Sequence, residues 1–234
     1  MFAVEGLNLF YGKLHILWDV SLEIRNESIG LFGPNGAGKT SLINATLGLV
    51  KPTSGSITFE RETMFPLETY QRIRRGIAVV PQERDLFPLM SVLENLKSGA
   101  SYIPKARKTM QQRLEFVFGM FPILKERERQ PAGTMSGGQQ RMLAIARALM
   151  ADPKLLILDE PSCGLQPSLV SELFHRLMTI RREGVSLLIA EQNVRQCLKA
   201  IDRGYVIENG RIIMEEDVQH LIGNDHIRKS YLGL

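Results

Sequence analysis

A chain of 234 residues, 44% hydrophobic and 23% charged with a formal net charge of +4, has room for one substantial core with an attached subdomain, not for two full domains of average size. No apolar run approaches the roughly 18 residues a membrane span needs, and the opening MFAVEGLNLFYGK lacks a basic start followed by a long apolar run, so a non-spanning, cytoplasmic protein is expected. Its basic residues fall in short groups mixed with acids (Arg72, Arg74 and Arg75; Lys105, Arg107 and Lys108; Lys125, Arg127 and Arg129) without interleaved aromatics, which reads as solvated surface, then as an anionic membrane surface or partner protein, and argues against nucleic acid.

In chain order, residues 2 to 8 and 20 to 25 alternate well enough to predict strands of an antiparallel flap, with FYGKLHILWD between them. Tyr11 stands there beside Gly12, where an exposed aromatic can stack on a base, although packing is the commoner fate of a tyrosine; Trp18 reads as packing. IGLFGPNGAGKTS, residues 29 to 41, then reads as a buried strand, a glycine-rich turn and a helix. Gly33, Gly38, Lys39 and Thr40 fit G-x-x-x-x-G-K-S/T, whose turn aims backbone N–H groups at phosphate oxygens. In such a turn the helix N-terminus adds partial positive charge, Lys39 reaches the β- and γ-phosphates, and the Thr40 hydroxyl sits on Mg²⁺.

Leu42, Ile43, Thr46 and Leu47 fall at helical spacing up to Gly48, a plausible stop. TSGSITF, 53 to 59, predicts a strand, and IAVV, 77 to 80, a short one ending at Pro81 and Gln82, where open α/β sheets place ligand contacts. From about Phe87 to Met135 strand signals vanish, and Met110, Leu114, Val117, Phe118 and Phe121 form one helical stripe, read as packing in a helical insertion. GTMSGGQQ precedes a helix-favouring RMLAIARALM that Asp152 and Pro153 end. LLILDE, 155 to 160, is a buried apolar strand ending in two carboxylates, which make poor core material and suit chemistry. A helix is predicted over 168 to 183 with Leu169, Leu173, Phe174, Leu177 and Ile180 inward, then a strand SLLIA, 186 to 190, leading to Glu191 and Gln192. Asn209-Gly210, between strand-like runs in 204 to 215, signals a type I′ hairpin. Short helices with a polar loop are expected from Val218 to Leu234. Cys163 and Cys197 make no disulfide or metal framework and read as buried or half-buried thiols.

A phosphate loop, an apolar strand ending in Asp-Glu and a Ser-Gly-Gly-Gln turn before it resemble, jointly, an ABC-type ATPase over essentially the whole chain. Tyr11 matches the adenine-stacking aromatic and GPNGAGKT (Gly33, Pro34, Asn35, Gly36, Ala37, Gly38, Lys39, Thr40), followed by Ser41, the Walker A loop. Gln82 matches the Q-loop, MSGGQ (Met135 to Gln139) the signature with Met for the usual Leu, LLILDE Walker B, and 161 to 167 the D-loop. The resemblance implies an α/β fold: a P-loop (RecA-like) core with an antiparallel β subdomain (1–86 and 136–234) and an inserted helical subdomain (87–135). It implies ATP and Mg²⁺ as cofactors, with Thr40, Gln82 and Asp159 on the metal. Glu160 is expected to orient and polarise the attacking water as general base, with Gln192, Gln82 and Lys39 completing the catalytic set. Ser136, Gly137, Gly138 and Gln139 make a second anion-binding turn, which in the family caps the nucleotide of another cassette, so head-to-tail pairing is implied. ATP binding then closes the pair, and hydrolysis reopens it.

Two positions depart from the family pattern. Gln166 stands where the D-loop usually carries Asp, and Gln192 where most members carry the switch histidine; a glutamine can hydrogen-bond a γ-phosphate but takes no proton at neutral pH. EPSCGLQPSLV, AEQNV, YVIENGRI and the closing YLGL resemble the smaller ATP-binding subunit of branched-chain amino acid importers, where EQN is usual. That likeness implies a second ATPase subunit, two membrane permeases contacted through the helical insertion and Q-loop, an extracytoplasmic substrate-binding protein, and a peripheral place on the cytoplasmic face of the membrane. A soluble non-transport ABC ATPase and a weakly hydrolysing regulatory cassette are the alternatives.

Overall fold

Alternating residues build one sheet of this protein and uninterrupted apolar runs build the other. In the computed structural model, which describes residues 1–224, 227 and 228, β1 (Phe2–Tyr11) and β2 (Leu14–Ile24) form a hairpin turning at Gly12 and Lys13. The expected connection FYGKLHILWD is therefore itself ladder, with Phe10 opposite His15 and Tyr11 opposite Leu14. Register shifts between Val4 and Leu7, Leu7 and Leu9, and Leu9 and Phe10 interrupt the two-residue period, which is why alternation alone ended these strands early.

After β3 (Ser28–Phe32) come α1 (Lys39–Leu47), β4 (Ser54–Phe59), β5 (Glu62–Thr63), α2 (Thr69–Arg74) and β6 (Ile77–Val80). The next segment is helical: α3 (Val92–Ser101), α4 (Pro104–Lys108), α5 (Met110–Met120), α6 (Pro122–Glu126), a 3₁₀ turn at Ala132–Thr134, and α7 (Gly137–Leu149). Then follow β7 (Leu155–Asp159), α8 (Pro167–Arg182), β8 (Ser186–Glu191), α9 (Val194–Cys197), β9 (Arg203–Glu208), β10 (Arg211–Asp217) and α10 (Val218–Gly223). The helices expected beyond α10 fall largely outside the described residues. Asn209 and Gly210, at φ 48° and 76°, make the two-residue turn between β9 and β10 that their sequence signals.

One sheet runs β2-β1-β4-β5; the other runs β10-β9-β3-β8-β7-β6 and is parallel apart from β10. β3 and β7 are buried at every residue, as strands covered on both faces must be. Phe2, Leu7, Leu17 and Ile57 of the antiparallel sheet pack with α1 and with Leu31, Ile157 and Leu188. The opposite core joins Leu96, Val117 and Leu124 of the helical segment to α7, α8 and to Leu156, Leu158 and Ile189. Leu114, Val117 and Phe121 of the predicted stripe are buried there, with Met110 and Phe118 partly buried against it. On α8 the inward residues are Val170, Leu173, Phe174, Leu177 and Ile180, so Val170 takes the place expected of Leu169. Pro167 opens that helix at a position where a missing N–H costs nothing.

The basic group at 72 to 75 needs a correction. Arg72 is buried and donates to the carbonyls of Ala45 (2.9 Å), Thr46 (2.7 Å) and Leu67 (2.9 Å), closing the last turn of α1 with a cation. Cys197 is buried and Cys163 exposed.

Candidate functional site at the carboxyl ends of the parallel strands

Parallel strands bring the chain's polar groups to one rim, because each carboxyl end opens into a loop there. β3 leads into the phosphate loop and α1. Side chains are excluded at Gly33, where a Cβ would lie 2.2 Å from the Ile207 carbonyl oxygen, and Gly38 takes φ 112° as it enters α1. The Lys39 ammonium is buried against the loop, donating to the carbonyls of Gly33 (2.8 Å) and Pro34 (3.1 Å), and forms an ion pair with Glu160 at 3.4 Å.

Asp159 closes β7 at 3% exposure, accepting the Thr40 hydroxyl on Oδ2 at 2.8 Å, while Oδ1 has no hydrogen-bond partner. Burial pushes its carboxyl above the ordinary pKa; the Thr40 hydrogen bond draws it down and the adjacent Glu160 charge pushes it up again. A buried carboxylate oxygen without a partner, beside a hydroxyl, fits a hard cation that takes oxygen ligands. Among the described residues no group of three or more His, Cys, Asp or Glu could hold a metal by itself.

Glu160 follows in the left-handed region at φ 45°, its N–H donating to Ala190 at 2.8 Å. Two glutamine amides hold its carboxylate, Gln192 at 2.7 Å on Oε1 and Gln82 at 3.1 Å on Oε2. Gln192 also donates to Asn35 of the phosphate loop. Lys39, Thr40, Asn35, Asp159, Glu160, Gln82 and Gln192 thus form one contact network drawn from β3, β6, β7 and β8. Within it Gln82 touches Glu160, not Asp159.

Two sequence candidates lie outside that network. Tyr11, 43% exposed, ends β1 at the hairpin turn. The Ser136–Gln139 turn starts α7 with a reciprocal cap, Ser136 Oγ accepting the Gln139 N–H (3.4 Å) and Gln139 Oε1 accepting the Ser136 N–H (3.1 Å). His15 stacks between Phe10 and Trp18, and His175 and His220 sit on α8 and α10; His226 lies outside the described residues. Trp18 is 39% exposed in that stack, less buried than its packing assignment implied.

Sequence reasoning passed over Arg141 and Glu191, both buried beneath the rim. Glu191 accepts the N–H of Ser162 (2.8 Å), Gln192 (3.1 Å) and Asn193 (3.3 Å), and burial raises its pKa against those hydrogen bonds. Arg141 donates to the carbonyls of Pro81 (3.0 Å) and Gln82 (2.9 Å), and burial lowers its pKa. The available signal was an ionisable residue within an apolar run, Glu191 after SLLIA and Arg141 before MLAIA.

A buried carboxylate with an unpartnered oxygen, a second carboxylate beside it and a lysine seated in a glycine loop match the pattern of a phosphate-loop nucleotide hydrolase. A family model described as ABC transporter matches residues 17–163. The chain is 45% identical over 100% of both lengths to the high-affinity branched-chain amino acid transport ATP-binding protein BraG of Pseudomonas aeruginosa. It is 35% identical, over 99% of itself and 96% of the relative, to the lipopolysaccharide export system ATP-binding protein LptB of Haemophilus influenzae. The ADP conformation of MJ1267, an ATP-binding cassette of an ABC transporter, superposes with a TM-score of 0.86 at 28% identity, covering 100% of this chain and 99% of that one. The chain belongs to the ABC transporter family and is an ATP-hydrolysing cassette of it.

Proposed function

We propose that this cassette drives import of branched-chain or other hydrophobic amino acids, hydrolysing ATP on the rim formed by Lys39, Thr40, Asp159 and Glu160. The carrying observation is Glu160, a carboxylate steered from both oxygens by Gln82 and Gln192 and neutralised by Lys39. Glu160 takes the proton of the attacking water as its oxygen bonds to the γ-phosphorus and the bond from that phosphorus to the β–γ bridging oxygen breaks, with ADP as the leaving group. Gln192 and Gln82 orient that carboxylate and the water, Lys39 and the loop N–H groups of Gly33 to Ser41 (Pro34 excepted) hold the phosphates, and Tyr11 stacks on the adenine. Thr40 and Asp159 would hold Mg²⁺, with Gln82 as a further oxygen ligand once turned from Glu160, and the ion would neutralise charge on the phosphate oxygens.

The Ser136–Gln139 turn caps itself without touching the phosphate loop of its own chain, which supports a role on the nucleotide of a second cassette, the same or different. Closure of the pair on ATP then passes through Gln82 to the segment 87–135, which faces permease subunits at the cytoplasmic side of the membrane. No described helix is long and apolar enough to cross a membrane, so such partners would supply the spanning path. An extracytoplasmic binding protein would deliver the amino acid. The full-length likeness to BraG supports this substrate class, and the lower likeness to LptB keeps lipopolysaccharide export as the second reading.

Glu160→Gln tests the chemistry: phosphate release should fall by about 100-fold or more while ATP binding is kept. Turnover within three-fold of wild type would remove Glu160 from the role. Deletion of the gene tests the substrate. Loss of radiolabelled leucine uptake, restored by wild type and not by Glu160→Gln, is expected, whereas normal uptake with impaired lipopolysaccharide export would establish the second reading instead.

A further inference from the structure

The two amides on Glu160 belong to exposed glutamines at the ends of different strands, and long exposed side chains do not hold a geometry unaided. Each is held from below, through its backbone, by one ionisable side chain only 2% exposed. On the Gln192 side this is Glu191, whose Oε2 takes the N–H groups of Gln192 and Asn193 while Oε1 takes that of Ser162. The same carboxylate thus ties the segment carrying Gln192 to the turn that follows Glu160. On the Gln82 side it is Arg141 of α7, whose planar fork spans the carbonyls of Pro81 and Gln82.

Neither residue touches the reacting atoms, and neither stabilises the fold by an ion pair of its own. A buried charge is costly unless it is hydrogen-bonded, and the hydrogen bonds these two make go to the two loops, with the Arg141 Nε left unpartnered. Apolar residues would fill the same space at less cost, so fold stability alone does not account for them. Resting on the reading of Glu160 as general base, we propose that Glu191 and Arg141 are a matched pair of positioning residues that set turnover by fixing the backbones of Gln192 and Gln82.

Their chemistry makes the proposal specific. Glu191→Gln preserves shape but turns one acceptor oxygen into a donor facing N–H groups, so one loop is released. Arg141→Met preserves length and burial but leaves the Pro81 and Gln82 carbonyls without donors. Each should lower kcat by about ten-fold with the KM for ATP within two-fold, since the phosphate loop is untouched. Arg141→Lys, able to serve one carbonyl at a time, should fall between Arg141→Met and wild type.

The experiment measures phosphate release by the cassette assembled with its partners, in single turnover where rates are low, alongside Leu177→Ala, a buried leucine of α8 outside the cluster, as a control for lost stability. Double variants provide the decisive readout. If Glu191 acts through Gln192, Glu191→Gln should change little in a Gln192→Ala background, and Arg141→Met likewise in Gln82→Ala. Single variants no slower than the Leu177→Ala control, or losses that multiply in the double variants, overturn the positioning role while leaving the ATPase reading intact. A wild-type cassette no faster than Glu160→Gln overturns that reading and this inference with it.

Discussion

The two ends of β7 treat charge in opposite ways. At its amino end Lys154 meets Glu60 at 2.7 Å, Glu60 also receives the Met1 amino group at 2.7 Å, and Asp152 takes Lys105 at 2.9 Å and Arg113 as well. Met1, Glu60, Lys105 and Lys154 are exposed, Asp152 and Arg113 half-buried, and both acids have their cations. The hydrogen bond from Lys154, with a second from the Met1 amino group, holds the Glu60 carboxyl at about 2. At the carboxyl end two acids stand side by side, Asp159 is buried with one oxygen unpartnered, and Glu160 sits in a backbone region unfavourable to its residue type. Charge at the first end supports the fold; at the second it is held ready for a ligand, at some cost to the fold.

The largest effect should come from the carboxyl end. Lys39→Met removes the cation that faces both the phosphate loop and Glu160, and ATP affinity should fall by about 100-fold, or about 3 kcal/mol, in equilibrium binding. A loss under three-fold would place the phosphate grip elsewhere. At the other end, where α1 finishes, the contrast predicts a stability effect instead. Arg72→Met removes a donor from three carbonyls, two of the bonds buried, so the cost should be about 2 kcal/mol, a fall in Tm of about 6 °C by calorimetry, with ATP affinity kept. Loss of ATP binding without loss of Tm would break the comparison.

What the sequence made legible follows the same division. The phosphate loop and LLILDE were readable because their spacing is dictated by a ligand, and the strands β3, β7 and β8 because burial on both faces leaves only apolar runs. The ends of β1 and β2 were not, since three register shifts scramble the alternation on which such a reading depends. Arg72 was invisible in its basic group because nothing local distinguishes a cation capping a distant helix from one in solvent. Arg141 and Glu191 carried the signal of a charge in an apolar run, but their partners, Pro81 and Ser162 among them, are brought near only by the fold.

Neutralising an acid should shift stability in opposite directions at the two ends. An acid whose pKa is raised by folding carries its charge at a cost wherever the pH exceeds that value. Asp159→Asn should therefore raise Tm by about 2 °C at pH 7.5 in the nucleotide-free chain while abolishing cation-dependent turnover. The gain shrinks as pH falls through the raised pKa, because the wild type then takes up its own proton. A lower Tm would mean that the Asp159 charge supports the fold after all.

Glu60→Gln is the smallest effect and the sharper test of sign. Its depressed pKa means that the ionised carboxylate contributes stability in full above the ordinary value of 4.5 and loses it as pH falls through about 2. The side chain is 43% exposed, so solvent screening limits that contribution to less than about 1 kcal/mol. The expected Tm deficit at pH 7 is under about 3 °C, smaller in high salt, and it should narrow as pH is lowered from 5 toward 2. A deficit independent of pH and salt would show that Glu60 acts by packing, with no electrostatic difference between the ends of β7. A deficit that narrows in acid, beside a gain for Asp159→Asn, would establish that one strand holds charge for the fold at its start and against the fold at its finish.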